Sequence, residues 1–146
     1  MVFHTSLPVR FGDVDLARIM YFPHIINYIH IAMEEFIEEA CGISYFTLMS
    51  EQGLAFPHVN LNSTFKQGLP YGTHIQVEVV VLNIGNTSLQ LRFRFYKDVI
   101  APEQLAVESI DSLVCVRLND WKKLRLPDEL REKLTAYLVT ESSVEN

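Results

Sequence analysis

The sequence predicts an α+β domain in which an antiparallel sheet of about five strands wraps around one long central helix. Three observations predict it. A single uninterrupted helical pattern covers residues 23–40, with no Gly or Pro after its first position. Several long segments alternate apolar and polar residues with the period of a half-buried strand. The order along the chain is one strand, the long helix, then four strands in succession, which favours an antiparallel sheet over repeated βαβ units.

Each element has its own local reason. Residues 3–11 are interrupted by Pro8 and read as an edge or bent strand. Pro23 suits the first position of the long helix, where a missing N–H costs nothing, and Gly42 suits the position just past its end. Between them Ile25, Ile29, Ala32, Phe36 and Ala40 recur three or four residues apart, flanked by Ile26, Met33 and Ile37. Glu34, Glu35, Glu38 and Glu39 mark a solvated side. They sit at the negative end of the helix dipole, so tertiary packing must hold this helix. A second helix is expected over 44–52, capped by Ser44 and stopped by Gly53.

Strands follow over 55–65, through Ile75, Val77, Val79 and Val81, and through Leu89, Leu91, Phe93 and Phe95, with Gly85-Asn86 as a hairpin turn. Residues 105–118 form a last long segment. Its apolar phase shifts near Ser109, from Leu105 and Val107 to Ile110, Val114 and Val116, which predicts a bulge there. After Pro127, residues 128–138 read as a short helix. Such a sheet leaves long strand edges, which dimerisation would cover.

Composition bounds the function. The chain of 146 residues suits one domain, over 1–140, with a short polar tail at 141–146. A formal net charge of −6 argues against the clustered basic surface that nucleic acids require. No apolar run is long enough to span a membrane. Cys41 and Cys115 lie in apolar stretches without metal-ligand spacing and read as buried reduced thiols, which suits the cytoplasm. His4, His58 and His74 are scattered, and His24 and His30 lie on different helix faces, so neither metal nor other cofactor is expected.

The informative segment is residues 10–36, RFGDVDLARIMYFPHIINYIHIAMEEF. It runs from a strand, through a loop holding Asp13 and Asp15, into the long helix. A helix N-terminus offers unpaired N–H groups, here those of Phe22, His24 and Ile25, and the positive end of a dipole. A thioester carbonyl placed there would have its developing oxyanion stabilised. A carboxylate just upstream could attack that carbonyl or activate a water to do so. Taken alone, an Asp in this position is more often a helix cap or a solvated turn residue.

The same segment resembles the signature of the 4-hydroxybenzoyl-CoA thioesterase family of hotdog proteins and its acyl-CoA thioesterase relatives. It carries Phe11-Gly12-Asp13-Val14-Asp15, then Ala17-Arg18-Ile19-Met20-Tyr21-Phe22-Pro23 and the helix. Phe65-Lys66, Asn119-Asp120 and Leu126-Pro127 extend the resemblance along the domain. It implies the hotdog fold and hydrolysis of an acyl-CoA thioester without a cofactor. It makes Asp15 the catalytic carboxylate, as nucleophile or general base, and Asp13 its structural companion. The Phe22 N–H becomes the oxyanion donor. The site is expected between the protomers of a homodimer, often paired again into a homotetramer.

Three departures from the family qualify this. Arg18 stands where the family often has Gly and becomes a candidate for substrate binding, with Tyr21 from the acyl pocket. His30 replaces an acidic residue that meets the substrate hydroxyl in the 4-hydroxybenzoyl enzyme, which argues against that substrate and makes His30 a further substrate-binding candidate. That enzyme's basic cluster for CoA phosphates has no counterpart at 83–88, which leaves Lys122, Lys123 and Arg125 as phosphate candidates. Ser63 and Thr64 are candidates for positioning a water. Two rival readings are a hotdog hydratase or dehydratase, disfavoured because no Asp or Glu has a His five residues on, and a non-catalytic acyl-thioester binding module.

Overall fold

The computed structural model describes residues 1–139; the tail expected at 141–146 lies outside them. The chain runs β1 (Phe3–Pro8), a 3-10 turn (Phe11–Asp13), α1 (Phe22–Cys41), α2 (Tyr45–Gln52), β2 (Leu54–Ala55) and β3 (His58–Phe65). It continues with β4 (His74–Ile84), β5 (Ser88–Lys97), β6 (Leu105–Val114), β7 (Val116–Arg117) and α3 (Asp128–Thr135). Five strands form one sheet in the order β1-β4-β5-β6-β3, every pair antiparallel. The long helix packs across one face of it, the hotdog arrangement expected. No described helix is long and apolar enough to cross a membrane.

The alternation read from the sequence is the alternation of burial. Ile75, Val77, Val79 and Val81 of β4, and Leu89, Leu91, Phe93 and Phe95 of β5, are all buried against α1 in one core. The helix meets them with Ile25, Tyr28, Ile29, Ala32, Met33, Phe36 and Ile37. Phe36 lies between Phe3 of β1 and Tyr137 beyond α3. Gly42 takes the left-handed conformation (φ 71°) that ends α1, and its N–H donates to the Glu38 carbonyl. Ser44 caps α2 by accepting from the Thr47 N–H at 3.1 Å.

Several expectations are corrected. Ile26 is exposed, not part of the buried stripe. Segment 55–65 divides at Pro57 into β2 and β3, and β2 pairs with β7 in a separate two-stranded sheet. The irregularity expected near Ser109 lies instead at Ala106, between the Val107–Phe95 and Leu105–Tyr96 pairs. From Val107 on, the alternation does not break: Val107, Ser109, Asp111 and Leu113 all face inward and are fully buried. The phase shift read from the sequence came from assigning two buried polar residues to the outer face.

Candidate active site

The loop between β1 and α1 folds into a small hairpin. Val14 bridges Met20, the Asp15 N–H donates to the Ile19 carbonyl (3.1 Å), and the Arg18 N–H donates to the Asp15 carbonyl (2.9 Å). Arg18 sits at the turn with φ 68°, in the left-handed region that favours Gly. Buried Met20 donates its N–H to the Leu69 carbonyl at 2.8 Å, tying the hairpin to the loop before β4. That approach depends on Gly68, where an added Cβ would lie 2.7 Å from the Ile19 side chain.

The two aspartates do different work. Asp13 fastens the loop to the helix. Its carbonyl accepts from the Tyr21 N–H (2.9 Å), its Oδ2 accepts from the Tyr28 hydroxyl (2.6 Å), and its Oδ1 lies 3.5 Å from His24 Nδ1. Burial, and next the bond to Asp13, push the Tyr28 phenol above its ordinary value, so it stays the proton donor of that pair. Asp15 is exposed in the single protomer. One of its oxygens, Oδ1, accepts from the Ala17 N–H at 2.8 Å. Oδ2 makes no hydrogen bond to the described residues.

At the helix start Tyr21 is extended and no side chain caps the first turn. Of the three donors expected there, the His24 N–H is already engaged by the Tyr21 carbonyl at 2.8 Å. The Phe22 N–H has no acceptor among the described residues. Tyr21 and Phe22 are both about half exposed and meet edge to face, and Phe22 meets Phe65 of β3 in the same way. Ser63, on the same strand, hydrogen-bonds through its hydroxyl to the buried Ser109; Thr64 is exposed.

From Pro23 a groove of about 420 Å³ runs between α1 and β3, lined by Ile26, Asn27, His30, His58 and Leu61. That volume suits a ligand pocket. His30 does not stand alone in it. Its Nδ1 is 3.0 Å from His58 Nε2, and His58 Nδ1 is 2.6 Å from Asp111 Oδ2. Neither His58 nor Asp111 was expected in a site. The signal that could have found them is strict alternation through β6, which puts a carboxylate in the core, where it needs a partner. Among the described residues no group of His, Cys, Asp and Glu is arranged to hold a metal ion.

Lys122, Lys123 and Arg125 lie elsewhere. Their exposed loop is fixed by Leu118 N–H to the Gly53 carbonyl and Leu126 N–H to the Asn86 carbonyl, beside the β4–β5 turn. The Asp15 hairpin is held near the opposite end of β4, whose 11 residues span about 35 Å. Arg125 is moreover paired with Asp128 at 2.6 Å. Within one protomer these cations and Asp15 are not brought together.

A model of the thioesterase-like superfamily matches residues 9–134. The chain belongs to that superfamily. The expected thioester hydrolase is the activity this membership carries. A 1,4-dihydroxy-2-naphthoyl-CoA hydrolase from Nostoc punctiforme is 27% identical over 89% of this chain and 84% of its own length. Among solved structures, a thioesterase-superfamily protein from Jannaschia sp. CCS1 superposes with a TM-score of 0.87 at 19% identity, covering 95% of this chain and 94% of that one. A 1,4-dihydroxy-2-naphthoyl-CoA thioesterase from Synechocystis gives 0.80 at 20% identity, covering 92% and 96%. At these identities the structures establish the fold.

Proposed function

We propose that the protein hydrolyses an aromatic acyl-CoA to the free acid and CoA, with Asp15 as nucleophile or general base and the Phe22 N–H as oxyanion donor. The observation that carries this reading is the hairpin bearing Asp15, fastened through Asp13 to a helix start whose first N–H is unpaired. A carbonyl oxygen held by that N–H gains most when it becomes an oxyanion, and one such donor contributes about 2.7–4 kcal/mol in the transition state. The CoA thiolate leaves readily, so no metal is needed. The relatives named for 1,4-dihydroxy-2-naphthoyl-CoA favour an aromatic acyl group.

A second copy of the chain completes the site in this proposal. Asp15 is open to solvent in one protomer, and β3 is a sheet edge carrying exposed Val59 and Phe65. An edge of this kind is a template for pairing, and a dimer, or two dimers as a tetramer, would close the groove over a substrate. The phosphate-binding role proposed for Lys122, Lys123 and Arg125 then requires the loop of a neighbouring subunit. The two buried free thiols suit a reducing compartment, and the cytoplasm is the proposed location.

Thiol release across aromatic, short-chain and long-chain acyl-CoAs tests the reading. Aromatic thioesters should show the highest kcat/KM; no release from any of them would overturn it. The His58–Asp111 pair also supplies the imidazole–carboxylate pair that a hydratase needs. Crotonyl-CoA therefore belongs in the panel, and its enoyl absorbance should persist.

A further inference from the structure

We infer that Arg92, on the face of the sheet turned away from α1, anchors a second ligand site, which takes a small monocarboxylate with a short apolar body. The inference does not rest on the thioesterase reading, since α1 and its groove lie on the other face of the sheet.

The strand period places the site. Leu91 and Phe93 of β5 are in the core against α1, so Arg92 and Arg94 point the opposite way. Arg92 lies across from Val80 of β4 and Ile110 of β6, and Arg94 across from Glu78 and Glu108. Arg94 is matched, because its Nε donates to Glu108 Oε2 at 2.7 Å. Over Arg92 opens a cavity of about 180 Å³, lined also by Val2, Glu78, Val80, Arg94 and Val139. It forms at a seam on the edge of β4. β1 pairs with β4 only as far as Phe3–Val79. Beyond that point the Val81 N–H donates to the Tyr137 carbonyl and the Val139 N–H to the Val81 carbonyl, both at 3.0 Å.

Arg92 is only 8% exposed. Among the described residues its guanidinium makes no hydrogen bond and has no carboxylate oxygen at ion-pairing distance. Other cations held against the fold do have acceptors. Arg131 Nη2 donates to the Gly85 and Asn86 carbonyls at 2.9 and 3.2 Å, and Lys133 Nζ to the Cys41 carbonyl at 3.0 Å. A buried guanidinium whose N–H groups lack acceptors is costly. Burial, and next the charge of Arg94, push the Arg92 guanidinium below its ordinary value. An anion in the cavity offsets that repulsion and supplies the missing acceptors.

The surroundings narrow the ligand. Of the two guanidiniums at the cavity only that of Arg92 is unmatched, and Glu78 lines the same space. A dianion such as phosphate meets repulsion there that a monoanion largely avoids. The planar fork of a guanidinium fits both oxygens of a carboxylate. Val2, Val80 and Val139 give apolar walls, which favour a hydrocarbon body over a hydrated inorganic ion. The volume is less than half the 420 Å³ of the groove beside α1. That leaves room for a single ring or a short branched chain.

The test follows the methyl resonances of Val80 and Val139 in the full chain. Benzoate and 3-methylbutanoate are titrated, then the amide of each, then inorganic phosphate. At least one carboxylate should shift both valines saturably and bind about tenfold or more tightly than its amide and than phosphate. Arg92→Met should abolish the shift. It removes a charge without breaking an ion pair among the described residues. Arg92→Lys keeps the charge but loses the fork and should weaken binding about tenfold; it carries the test if Arg92→Met does not fold. Equal binding of acid and amide, a response that survives Arg92→Met, or shifts confined to Ile26 and Leu61 of the groove overturn the site. Two other occupants are read in the same way. Glu141→Gln with Glu145→Gln should leave the affinity within about twofold; a tenfold gain would make those acidic side chains the ligand instead and overturn the proposal. Affinity that falls as protein concentration rises would do so too, by showing a second copy on this face.

Discussion

The hairpin that carries Asp15 and the hydrogen-bonded set Asp111–His58–His30 both lie beside the N-terminal half of α1, yet the protein builds them in different ways. The hairpin is made of neighbours. Apart from the Met20–Leu69 bond and the Ile19–Pro70 bridge to the loop before β4, its bonds join residues within 8–28, the longest of them from the Tyr28 hydroxyl to the Pro8 carbonyl at the end of β1. The hydrogen-bonded set joins a helix to two strands across sequence separations of 28 and 53 residues. Short-range chemistry shared by a superfamily can be read as a motif. A hydrogen-bonded chain assembled from whichever residues the strand register brings together cannot.

That contrast can be broken or sharpened by substitution. The largest effect is expected at the carboxylates. Asp15→Asn should lower kcat/KM about 10²- to 10⁴-fold with little change in thermal stability, because its side chain is exposed. Asp13→Asn should show the opposite balance, with lower stability and a smaller loss of rate, since Asp13 holds Tyr21, Tyr28 and His24 in place. Equal behaviour of the two in parallel melting and thiol-release assays would erase the distinction between them.

Next comes the fastening itself. Tyr28→Phe deletes the donor to Asp13 and should cost about 1.5 kcal/mol in denaturant unfolding. A smaller effect of the opposite sign is expected at the turn. Arg18→Gly relieves a left-handed backbone and should stabilise the fold by up to about 1 kcal/mol, less the unfolded-state freedom that Gly adds. If Arg18 also binds substrate, KM should rise while stability improves.

The smallest effect should be no effect. Burial raises the thiols of Cys41 and Cys115 to about 11. A raised thiol stays protonated below that value, so the reactive thiolate is scarce at pH 7–8. Ellman's reagent should label neither cysteine in the native protein and both after denaturation.

The sheet was legible because alternation in β4 and β5 carries no polar residue on its inner side. The helix was legible because Pro23 and Gly42 bracket it. β6 was misread for a physical reason: Ser109 and Asp111 occupy inner positions that pattern reading reserves for apolar side chains. The two errors about His58 and Asp111 are one error, since the buried carboxylate is tolerated only because the histidine meets it. Ile26 was placed in the core because its helical phase borders the buried stripe, whereas it lies exposed in the groove wall. Exposed apolar residues there mark a surface kept for something other than folding.

The most direct test of the chemistry is a double-mutant cycle between Asp15→Asn and Phe22→Pro, with Phe22→Ala as the control for the lost ring. Proline is tolerated at the first helical position, where the N–H has no acceptor of its own, so Phe22→Pro differs from Phe22→Ala chiefly by one lost donor. If a single reacting carbonyl meets both groups, each change alone should cut kcat/KM by about a hundredfold or more. The pair should then be only slightly worse than the poorer single variant. Effects that multiply in full, or a Phe22→Pro enzyme as active as Phe22→Ala, would show that the aspartate and the helix start do not act on the same atom pair.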